Sequence, residues 1–267
     1  MHAPHLAVLF VILTATPAAG QPAAAASAQA IGAPASAKIW ESRNAEFEDF
    51  LRETPFVRVE EVPIGVTRPK RGYFAPGGLA VSAAWKPLPP GRANGYWESY
   101  KSEIAAYELD KLLGLGMVPP AVEKRWKGER GAAVLWVQPV RPWKEVEHQP
   151  KPPKWNREAV RMKMFDNLIG NIDRNAGNLL VDGDWNLFLI DHSRAFVTES
   201  RLRAEMQRID RGIWARMLAL DEVTLKEALG RWLDGGAIKA MLKRRDAMQK
   251  VIDTLVKNGS EALVYIK

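Results

Sequence analysis

Alternating and continuous apolar runs in the first half of the folded chain predict β-strands. Residues 56–69 (FVRVEEVPIGVTRP) alternate apolar and polar side chains, as a half-buried strand does. Residues 77–87 (GGLAVSAAWKP) predict a second strand after a Gly-Gly turn. Residues 131–140 (GAAVLWVQPV) form a short apolar run of the kind found in buried strands. We therefore expect a β-rich first half.

One helix is expected between these strands. Ala105, Leu109 and Leu112 recur at the spacing i, i+4 and i+7, which places them on one helical face. Gly114 follows this stripe and Pro119 comes soon after it, and both residues favour the end of a helix. The first half should thus combine strands with one main helix.

The second half mainly has the period of an α-helix. It follows a Pro- and Lys-rich hinge at residues 148–155. A helix beyond the hinge is predicted by the apolar positions Val160, Met164, Phe165, Leu168 and Ile169. Residues 201–257 are also helical in pattern, with breaks at Gly230 and at Gly235-Gly236.

A β-hairpin is predicted within this helical half. Residues 178–190 (NLLVDGDWNLFLI) contain two apolar runs joined around Asp182-Gly183, which is a strong turn signal. The expected fold class is α+β with two lobes. The first lobe, residues 39–147, is rich in strands, and the second lobe, residues 148–267, is mainly helical and contains the hairpin.

Composition narrows the possible functions. The chain has 267 residues, of which 47% are apolar, so it can bury a sizeable core. It has no cysteine, which excludes thiol catalysis, disulfide scaffolds and zinc ribbons. The formal charge of +7 favours anionic partners such as phosphate or nucleotide. Two basic runs, residues 201–211 and 239–245, are interpreted as solvated helix faces. No basic helix is interleaved with aromatic residues, so we do not expect nucleic-acid binding.

The first residues have the character of an export signal. Residues 6–20 are an apolar run of signal-peptide length, followed by small residues. We expect a signal peptide at residues 1–20 and a disordered Ala/Pro/Ser linker at residues 21–38. The protein would then be periplasmic or secreted. An uncleaved anchor is an alternative, and a misassigned start would leave the protein in the cytoplasm. No later segment is apolar and long enough for a transmembrane span in the mature chain.

The hairpin brings polar residues together. Antiparallel strands place the start of one strand beside the end of the other, so Asn178 and Asp191 should lie at one edge. Asp173 precedes Asn178 by five residues, at the end of a helix. Two carboxylates and an amide oxygen are ligands that suit Mg²⁺ or Mn²⁺, which share their coordination with phosphate.

Three alternatives compete with this metal site. Asp182, Asp184 and Asn186 alternate as in a Ca²⁺-binding loop, but Leu187 stands where that loop needs Gly and Ser193 where it needs Glu. The polar residues could instead cap helices and turns. They could also form a polar network kept from an active ancestor.

Two residues of the first half complete a pattern. Lys86 ends a predicted strand, and Glu103 lies 17 residues later on the following helix. The phosphoryl-transfer arrangement of kinase-like folds has five parts in this order. They are a strand lysine, a helix glutamate, an aspartate, an asparagine five residues further, and an aspartate after a hairpin. Glu98 is an alternative partner for the lysine, since it also precedes the helix stripe.

Two segments resemble known kinases. Residues 165–196 (FDNLIGNIDRNAGNLLVDGDWNLFLIDHSRAF) resemble the catalytic and metal loops of atypical kinases, namely the phosphatidylinositol 3-/4-kinase-like group, the Golgi secretory-pathway casein kinase family and HipA-type kinases. Residues 102–126 (SEIAAYELDKLLGLGMVPPAVEKRW) are similar to the helix and following strand of the Golgi family. The resemblance covers about residues 79–196 and implies a two-lobed, kinase-like fold.

The resemblance also implies a role for each matching residue. Lys86 would bind phosphate, Glu103 would orient Lys86, and Asp173 would be the catalytic aspartate. Asn178 and Asp191 would be the metal ligands. The segment that would meet adenine through backbone hydrogen bonds contains Gln138 and Val140.

The sequence departs from these families at three places. Asn178 fits the lipid kinases and HipA-type kinases, whereas the Golgi kinases tend to carry an acidic residue at this position. The motif IDHS stands where both larger relatives favour IDNG, and we interpret His192 as a packing or backbone-contacting residue rather than a base. No clear Gly-rich phosphate loop is present, and residues 64–66 and 76–78 are the only candidates for it.

These observations predict a kinase-like phosphotransferase that uses ATP with Mg²⁺ or Mn²⁺. The acceptor is unknown, and a protein hydroxyl is favoured over an inositol lipid. The alternative is a catalytically idle pseudokinase that serves as a binding module. Export and ATP use conflict in a periplasm, where ATP is scarce, whereas a Golgi lumen contains ATP.

Overall fold

The N-terminal part of the protein is built around an antiparallel sheet. A computed structural model describes residues 36–62, 70–93 and 95–266. The first elements in chain order are α1 (Asn44–Glu53), β1 (Arg58–Glu61), β2 (Lys70–Tyr73), β3 (Ser82–Lys86), β4 (Gly91–Ala93), β5 (Tyr96–Glu98), α2 (Tyr100–Leu113), β6 (Ala121–Trp126) and β7 (Glu129–Leu135). Five strands form one sheet in the order β1-β2-β3-β7-β6, and β4 pairs with β5 in a separate hairpin.

The strand predictions agree with the structure in part. Strand β1 occupies the start of the predicted strand 56–69, of which residues 63–69 lie outside the described part of the chain. The predicted strand 77–87 is shorter in the structure, because its first residues form the connection from β2 to β3. Strand β7 ends at Leu135, before the end of the predicted run. The sequence pattern did not predict β2.

Helix α1 was also missed by the pattern. Its buried face is narrow and consists of Phe47 and Leu51, which is too little for a clear apolar stripe. Its C-terminal end is closed by Lys124, whose Nζ donates to the carbonyls of Leu51, Arg52 and Thr54 at 3.0, 3.1 and 2.7 Å. Burial lowers the pKa of Lys124. A buried ammonium group therefore satisfies carbonyls that a helix end leaves unpaired.

Helix α2 agrees with the prediction, apart from one position. It begins after Ser99, whose side chain accepts from Lys101 N, and ends at Gly114, which has the left-handed φ of 57° that favours glycine. Leu112 is 40% exposed, so its predicted place on the apolar face is wrong. Leu113, four residues after Leu109, takes the core position instead.

The loop after α2 is held by a buried carboxylate. Asp110 accepts from the backbone N–H groups of Gly116, Met117 and Val118 at 3.0, 2.9 and 3.1 Å. The carbonyl of Met117 in turn accepts from Leu189 N at 2.9 Å. Asp110 thereby connects the end of α2 to a strand of the second half.

The C-terminal part contains most of the helices. Its elements are β8 (Arg141–Pro142), α3 (Trp143–Val146), α4 (Lys154–Ile169), β9 (Leu179–Val181), β10 (Leu187–Leu189), β11 (Ile209–Asp210), α5 (Arg211–Leu218), α6 (Glu222–Leu229), α7 (Gly235–Asn258), α8 (Glu261–Val264) and β12 (Tyr265–Ile266). Strands β8, β9 and β10 form a three-stranded sheet, and β11 pairs with β12. The architecture is therefore mixed α and β, with the large sheet in the N-terminal part and most of the helices in the C-terminal part, as the predicted two-lobed α+β fold class requires.

The predicted hairpin is present as β9 and β10. Leu179 pairs with Leu189, and Val181 pairs with Leu187. The turn depends on Asp182, whose carboxylate accepts from the N–H groups of Asp184 and Asn186 at 3.0 and 2.8 Å. This is the turn chemistry that competes with a Ca²⁺-binding loop at the same residues.

Two details of the predicted helical region 201–257 are wrong. Residues 199–208 are not helical, and the first helix there, α5, begins at Arg211. Gly235 and Gly236 begin α7 rather than break a helix. The reason is Asp234, whose side chain accepts from Ala237 N and caps the new helix at this point.

One predicted surface residue is in the core. Arg244 belongs to the basic run 239–245, yet it is fully buried. It donates to the carbonyls of Leu168, Val197 and Glu199 at 3.0, 2.7 and 2.7 Å. The guanidinium fixes the non-helical segment after the hairpin, and this requirement has no periodic signal in the sequence.

The expected N-terminal signal and most of the linker lie outside the described residues. The last linker residues are described, and Ala37 is buried with its N–H donating to Asp182 Oδ2 at 3.1 Å. In the described part of the chain, no helix has both the length and the apolarity needed to cross a membrane.

Candidate active site

A buried ion pair connects β3 with α2. Lys86 Nζ lies 2.6 Å from Glu103 Oε1, and both side chains are buried. Burial alone would lower the pKa of Lys86, but the carboxylates of Asp191 and Glu103 outweigh it and raise the pKa. Burial alone would raise the pKa of Glu103, yet Lys86 and His192 hold it well below its usual range. Both groups are therefore charged at neutral pH.

Glu103 rather than Glu98 is the observed partner of Lys86. The second oxygen of Glu103 accepts from the backbone N–H of His192 at 3.1 Å, so both of its oxygens are engaged. Glu98 instead accepts from Arg194 Nε at 2.7 Å. Glu103 lies on α2 and Glu98 ends β5, so the two acids belong to different elements and have different partners.

Asp191 lies next to the same ammonium group. Its Oδ1 is 3.1 Å from Lys86 Nζ and 3.3 Å from Ser193 Oγ. Its backbone has a φ of 62°, a left-handed conformation that Asp tolerates better than most residues. The backbone N–H of residue 189 donates to Met117 O, and that of residue 190 donates to Asn178 O. These two hydrogen bonds fix the end of β10, which Asp191 follows.

Asn178 and Asp173 meet just before β9, at the same end of the hairpin as Asp191. Asn178 Nδ2 donates to the carbonyl of Asp173 at 2.8 Å. Asn171 Oδ1 accepts from Asp173 N at 3.0 Å, which shapes the loop after α4. The Asp173 side chain is 34% exposed and can contact a second molecule.

Arg174 joins these segments. It donates from Nε and Nη2 to Asp166 at 2.9 and 3.0 Å, and from Nη1 to the carbonyls of Asn178 and Ile190 at 3.1 and 2.9 Å. Its Nη2 also lies 2.9 Å from His192 Nε2. Burial lowers the pKa of His192, so the imidazole is neutral at neutral pH. Arg174 and His192 are fixed inside the loop network and shape it.

Arg194 is a site residue that the sequence did not suggest. Its Nη1 donates to Asp173 Oδ2 at 3.2 Å, and its Nη2 lies 2.6 Å from Glu98 Oε1. Its guanidinium also lies 4.6 Å from the ring centroid of Tyr96. The only sequence signal for it is the position three residues after Asp191, which by itself indicates nothing.

The predicted adenine-contacting residues lie in the connection between β7 and β8. Gln138 is exposed, and Val140 is partly buried against the apolar core formed by α1 and the sheet. Among the described residues, no hydrogen bond joins either of them to the ion-pair cluster. Of the two candidate phosphate loops, residues 64–66 lie outside the described part, and residues 76–78 form an exposed connection between β2 and β3.

The donor set fits a cation that is shared with phosphate. Within the described residues, no group of three or more His, Cys, Asp or Glu side chains is arranged to hold a metal ion by itself. Asn178 uses Nδ2 for the Asp173 carbonyl, so Oδ1 is the side-chain atom that would be open to a cation. The described contacts of Asp191 use Oδ1, so its Oδ2 is the oxygen open to a cation. One amide and one carboxylate suit Mg²⁺ or Mn²⁺ that takes its other ligands from water and phosphate.

Comparison with known proteins identifies the fold. No protein-family model and no characterised protein matches the chain by sequence. The solved structure of hydra Fam20 with sugar is similar, with a TM-score of 0.65 and 17% identity over 83% of this chain and 91% of the other. The Golgi casein kinase has a TM-score of 0.64 and 15% identity, over 85% of this chain and 79% of the other.

A further structure of the Golgi casein kinase, with Mn/ADP bound, has a TM-score of 0.62 at 15% identity. At these identities the likeness establishes the fold, which is kinase-like. The predicted resemblance to the Golgi casein kinase family thus agrees with the fold. The predicted resemblances to phosphatidylinositol kinases and to HipA-type kinases stay predictions.

Proposed function

We propose that this protein is an ATP-dependent phosphotransferase that acts with Mg²⁺ or Mn²⁺. The observation that carries the proposal is the position of Lys86, whose Nζ is within 3.1 Å of both Glu103 and Asp191. A buried lysine held between a helix glutamate and a loop aspartate is the arrangement that kinases use to bind nucleotide phosphates. The kinase-like fold and a structural neighbour with Mn/ADP bound support it.

Each residue has a distinct task in this proposal. Asp173 accepts the proton of an acceptor hydroxyl, and the hydroxyl oxygen attacks the γ-phosphorus of ATP. The bond from the γ-phosphorus to the bridging oxygen breaks, and ADP leaves. Lys86 binds the phosphates through its positive charge, and Glu103 holds Lys86 in place.

Asn178 and Asp191 would hold the cation. A divalent cation there would neutralise phosphate charge on the nucleotide. Lys86 and Asp191 form an ion pair at 3.1 Å, so the lysine lies beside the proposed cation ligand. Gln138 and Val140 stay the proposed adenine contacts.

A protein hydroxyl is the favoured acceptor. An open groove of about 920 Å³ lies beside the loop that carries Asp173, and Ile172 and Ala195 are among its lining residues. Tyr96 and Trp97 line the same groove and are half exposed. A groove of this size accommodates a peptide segment, and the casein kinase neighbours support a protein acceptor over an inositol lipid.

Nucleotide binding tests the proposal. We expect calorimetric titration to show ATP binding that is stronger with Mg²⁺ or Mn²⁺. Lys86→Met should weaken it about tenfold or more, since a charge-assisted contact to phosphate is lost. Lys144→Met, which removes an exposed lysine of α3, is the matched control and should bind as the wild type does.

Turnover separates the enzyme from an idle kinase fold. Slow ATP hydrolysis or autophosphorylation should accompany binding in the wild type. Binding without any turnover would favour the pseudokinase alternative. Absence of ATP binding in every metal condition would refute the nucleotide site itself.

A further inference from the structure

We infer that a second anion site, for a small oligophosphate, lies at the edge of the five-stranded sheet. A cavity of about 320 Å³ opens there, between β6, β7, α2 and the connection from α6 to α7. Four arginines from four separate chain segments line it: Arg52, Arg125, Arg130 and Arg231. None of its lining residues belongs to the Lys86 cluster, so the two sites are separate.

Two of these arginines lie opposite each other on neighbouring strands. Arg125 on β6 and Arg130 on β7 are direct partners in the antiparallel register, so their side chains share one face of the sheet. Like charges directly opposite each other are unfavourable in such a pair. An anion between the guanidinium groups would remove this repulsion.

The two acids of the cavity, Glu108 and Glu123, have partners other than Arg125 and Arg130, and one of these partners is the cavity arginine Arg231. Glu108 lies 3.0 Å from Lys111, and Glu123 accepts from the Tyr100 hydroxyl at 2.7 Å and lies 3.3 Å from Arg231.

Within the described residues, no carboxylate forms an ion pair with Arg125 or Arg130. The segments outside that part, residues 1–35, 63–69, 94 and 267, contain no Asp or Glu that could do so. The two guanidinium groups therefore have no side-chain carboxylate partner in the part of the chain that the structure describes.

The chemistry of the lining points to phosphate. Guanidinium groups bind phosphate oxygens through two parallel hydrogen bonds, and several of them suit a multiply charged ligand. Ile104, Ala121 and Trp232 supply an apolar wall beside the arginines. The cavity is at the lower end of the volumes found for small-molecule sites, which favours a free, small phosphate compound over a macromolecule.

Pyrophosphate is the probe that tests this site. Calorimetry with the whole chain, in metal-free buffer of moderate salt, should show pyrophosphate binding, and pyrophosphate should raise the melting temperature. Lys86→Met should keep this binding, because the Lys86 cluster is not involved. Arg125→Gln/Arg130→Gln should weaken it about tenfold or more, since two charge-assisted contacts are lost. Arg130→Lys should bind pyrophosphate with intermediate affinity, because it keeps the positive charge but cannot donate two parallel hydrogen bonds to one phosphate.

The matched control removes the same charge elsewhere. Arg201→Gln/Arg208→Gln replaces two exposed arginines outside the cavity and should bind as the wild type does. Circular dichroism checks that every variant is folded. Unchanged binding in Arg125→Gln/Arg130→Gln, an equal loss in the control, or no pyrophosphate binding would each overturn the inference. Binding to phosphatidylserine vesicles alone would overturn it as well.

Discussion

Arg194 Nη1 donates a hydrogen bond to Asp173 Oδ2 at 3.2 Å, while its Nη2 lies 2.6 Å from Glu98 Oε1. The proposed catalytic aspartate is thereby connected to the last residue of β5. A backbone hydrogen bond of 3.0 Å from Ser99 N to Ser193 O strengthens the same connection. Arg194 thus positions the Asp173 carboxylate relative to α2, the helix that carries Glu103.

Replacing Arg194 should affect turnover more than nucleotide binding. Arg194→Met should lower the rate about tenfold to a hundredfold, because a small displacement of a catalytic group has a cost of this order. Arg194→Lys should restore part of the rate, since it keeps the charge. Phosphate release and calorimetric ATP titration measure the two quantities. Arg201→Met, an exposed residue outside the site, is the control. A parallel loss of ATP affinity would contradict a positioning role.

Asp173→Ala should separate catalysis from binding. Loss of a general base lowers turnover by roughly two to four orders of magnitude. ATP affinity should stay within a few-fold, since Asp173 does not contact Lys86 in the structure. Asp184→Ala, in the exposed turn of the hairpin, is the matched control. If both variants turn over ATP at the wild-type rate, Asp173 is a structural residue.

Asp191→Asn should remove the dependence of ATP binding on the metal. Asn adopts the left-handed backbone of this position about as well as Asp does, so the loop should keep its conformation. It lacks the negative charge that attracts the cation. Titration of ATP with and without Mn²⁺ measures the effect, and thermal unfolding checks the fold. An unchanged enhancement by Mn²⁺ would exclude Asp191 as a ligand.

Because of Asp210, the free energy of unfolding should decrease at acidic pH. Burial alone would raise its pKa, but the Ile213 N–H at 3.0 Å and Arg161 at 2.8 Å outweigh burial and lower it. The stabilisation is therefore present above the unfolded pKa of about 3.9 and is lost as pH falls through the folded pKa.

Urea unfolding of two variants tests this dependence. Asp210→Asn keeps the helix cap and loses the ion pair, whereas Asp210→Ala loses both. The free energy of unfolding of Asp210→Ala should therefore be about 1 kcal/mol lower than that of Asp210→Asn. The difference between wild type and Asp210→Asn should shrink as pH falls from 5 towards 3. A difference that is independent of pH would be inconsistent with the lowered pKa.

Export predicts a processed N-terminus. Residues 1–20 should be absent from protein isolated from its native host, as expected for a cleaved signal peptide. Mass spectrometry of the intact protein measures this. Met1 retained in a cytosolic fraction would exclude export and would place the protein where ATP is abundant.

Local patterns in the sequence determined the elements that carry the proposed site. The turn at Asp182-Gly183 defines a hairpin, and a hairpin brings its two ends together wherever it lies in the fold, so Asn178 and Asp191 could be placed at one edge. The end of the β3 strand and the stripe of α2 likewise place Lys86 and Glu103 on neighbouring elements.

Only the tertiary structure decided which charged groups meet. Glu98 and Glu103 both lie near the start of α2, and the packing of that helix on β6 and β7 leaves Glu103 beside Lys86. Glu98 pairs with Arg194 instead. Arg244 is buried because carbonyls far away in the sequence converge on it. Long side chains reach across several elements, so their partners depend on distance in space and leave no period in the sequence.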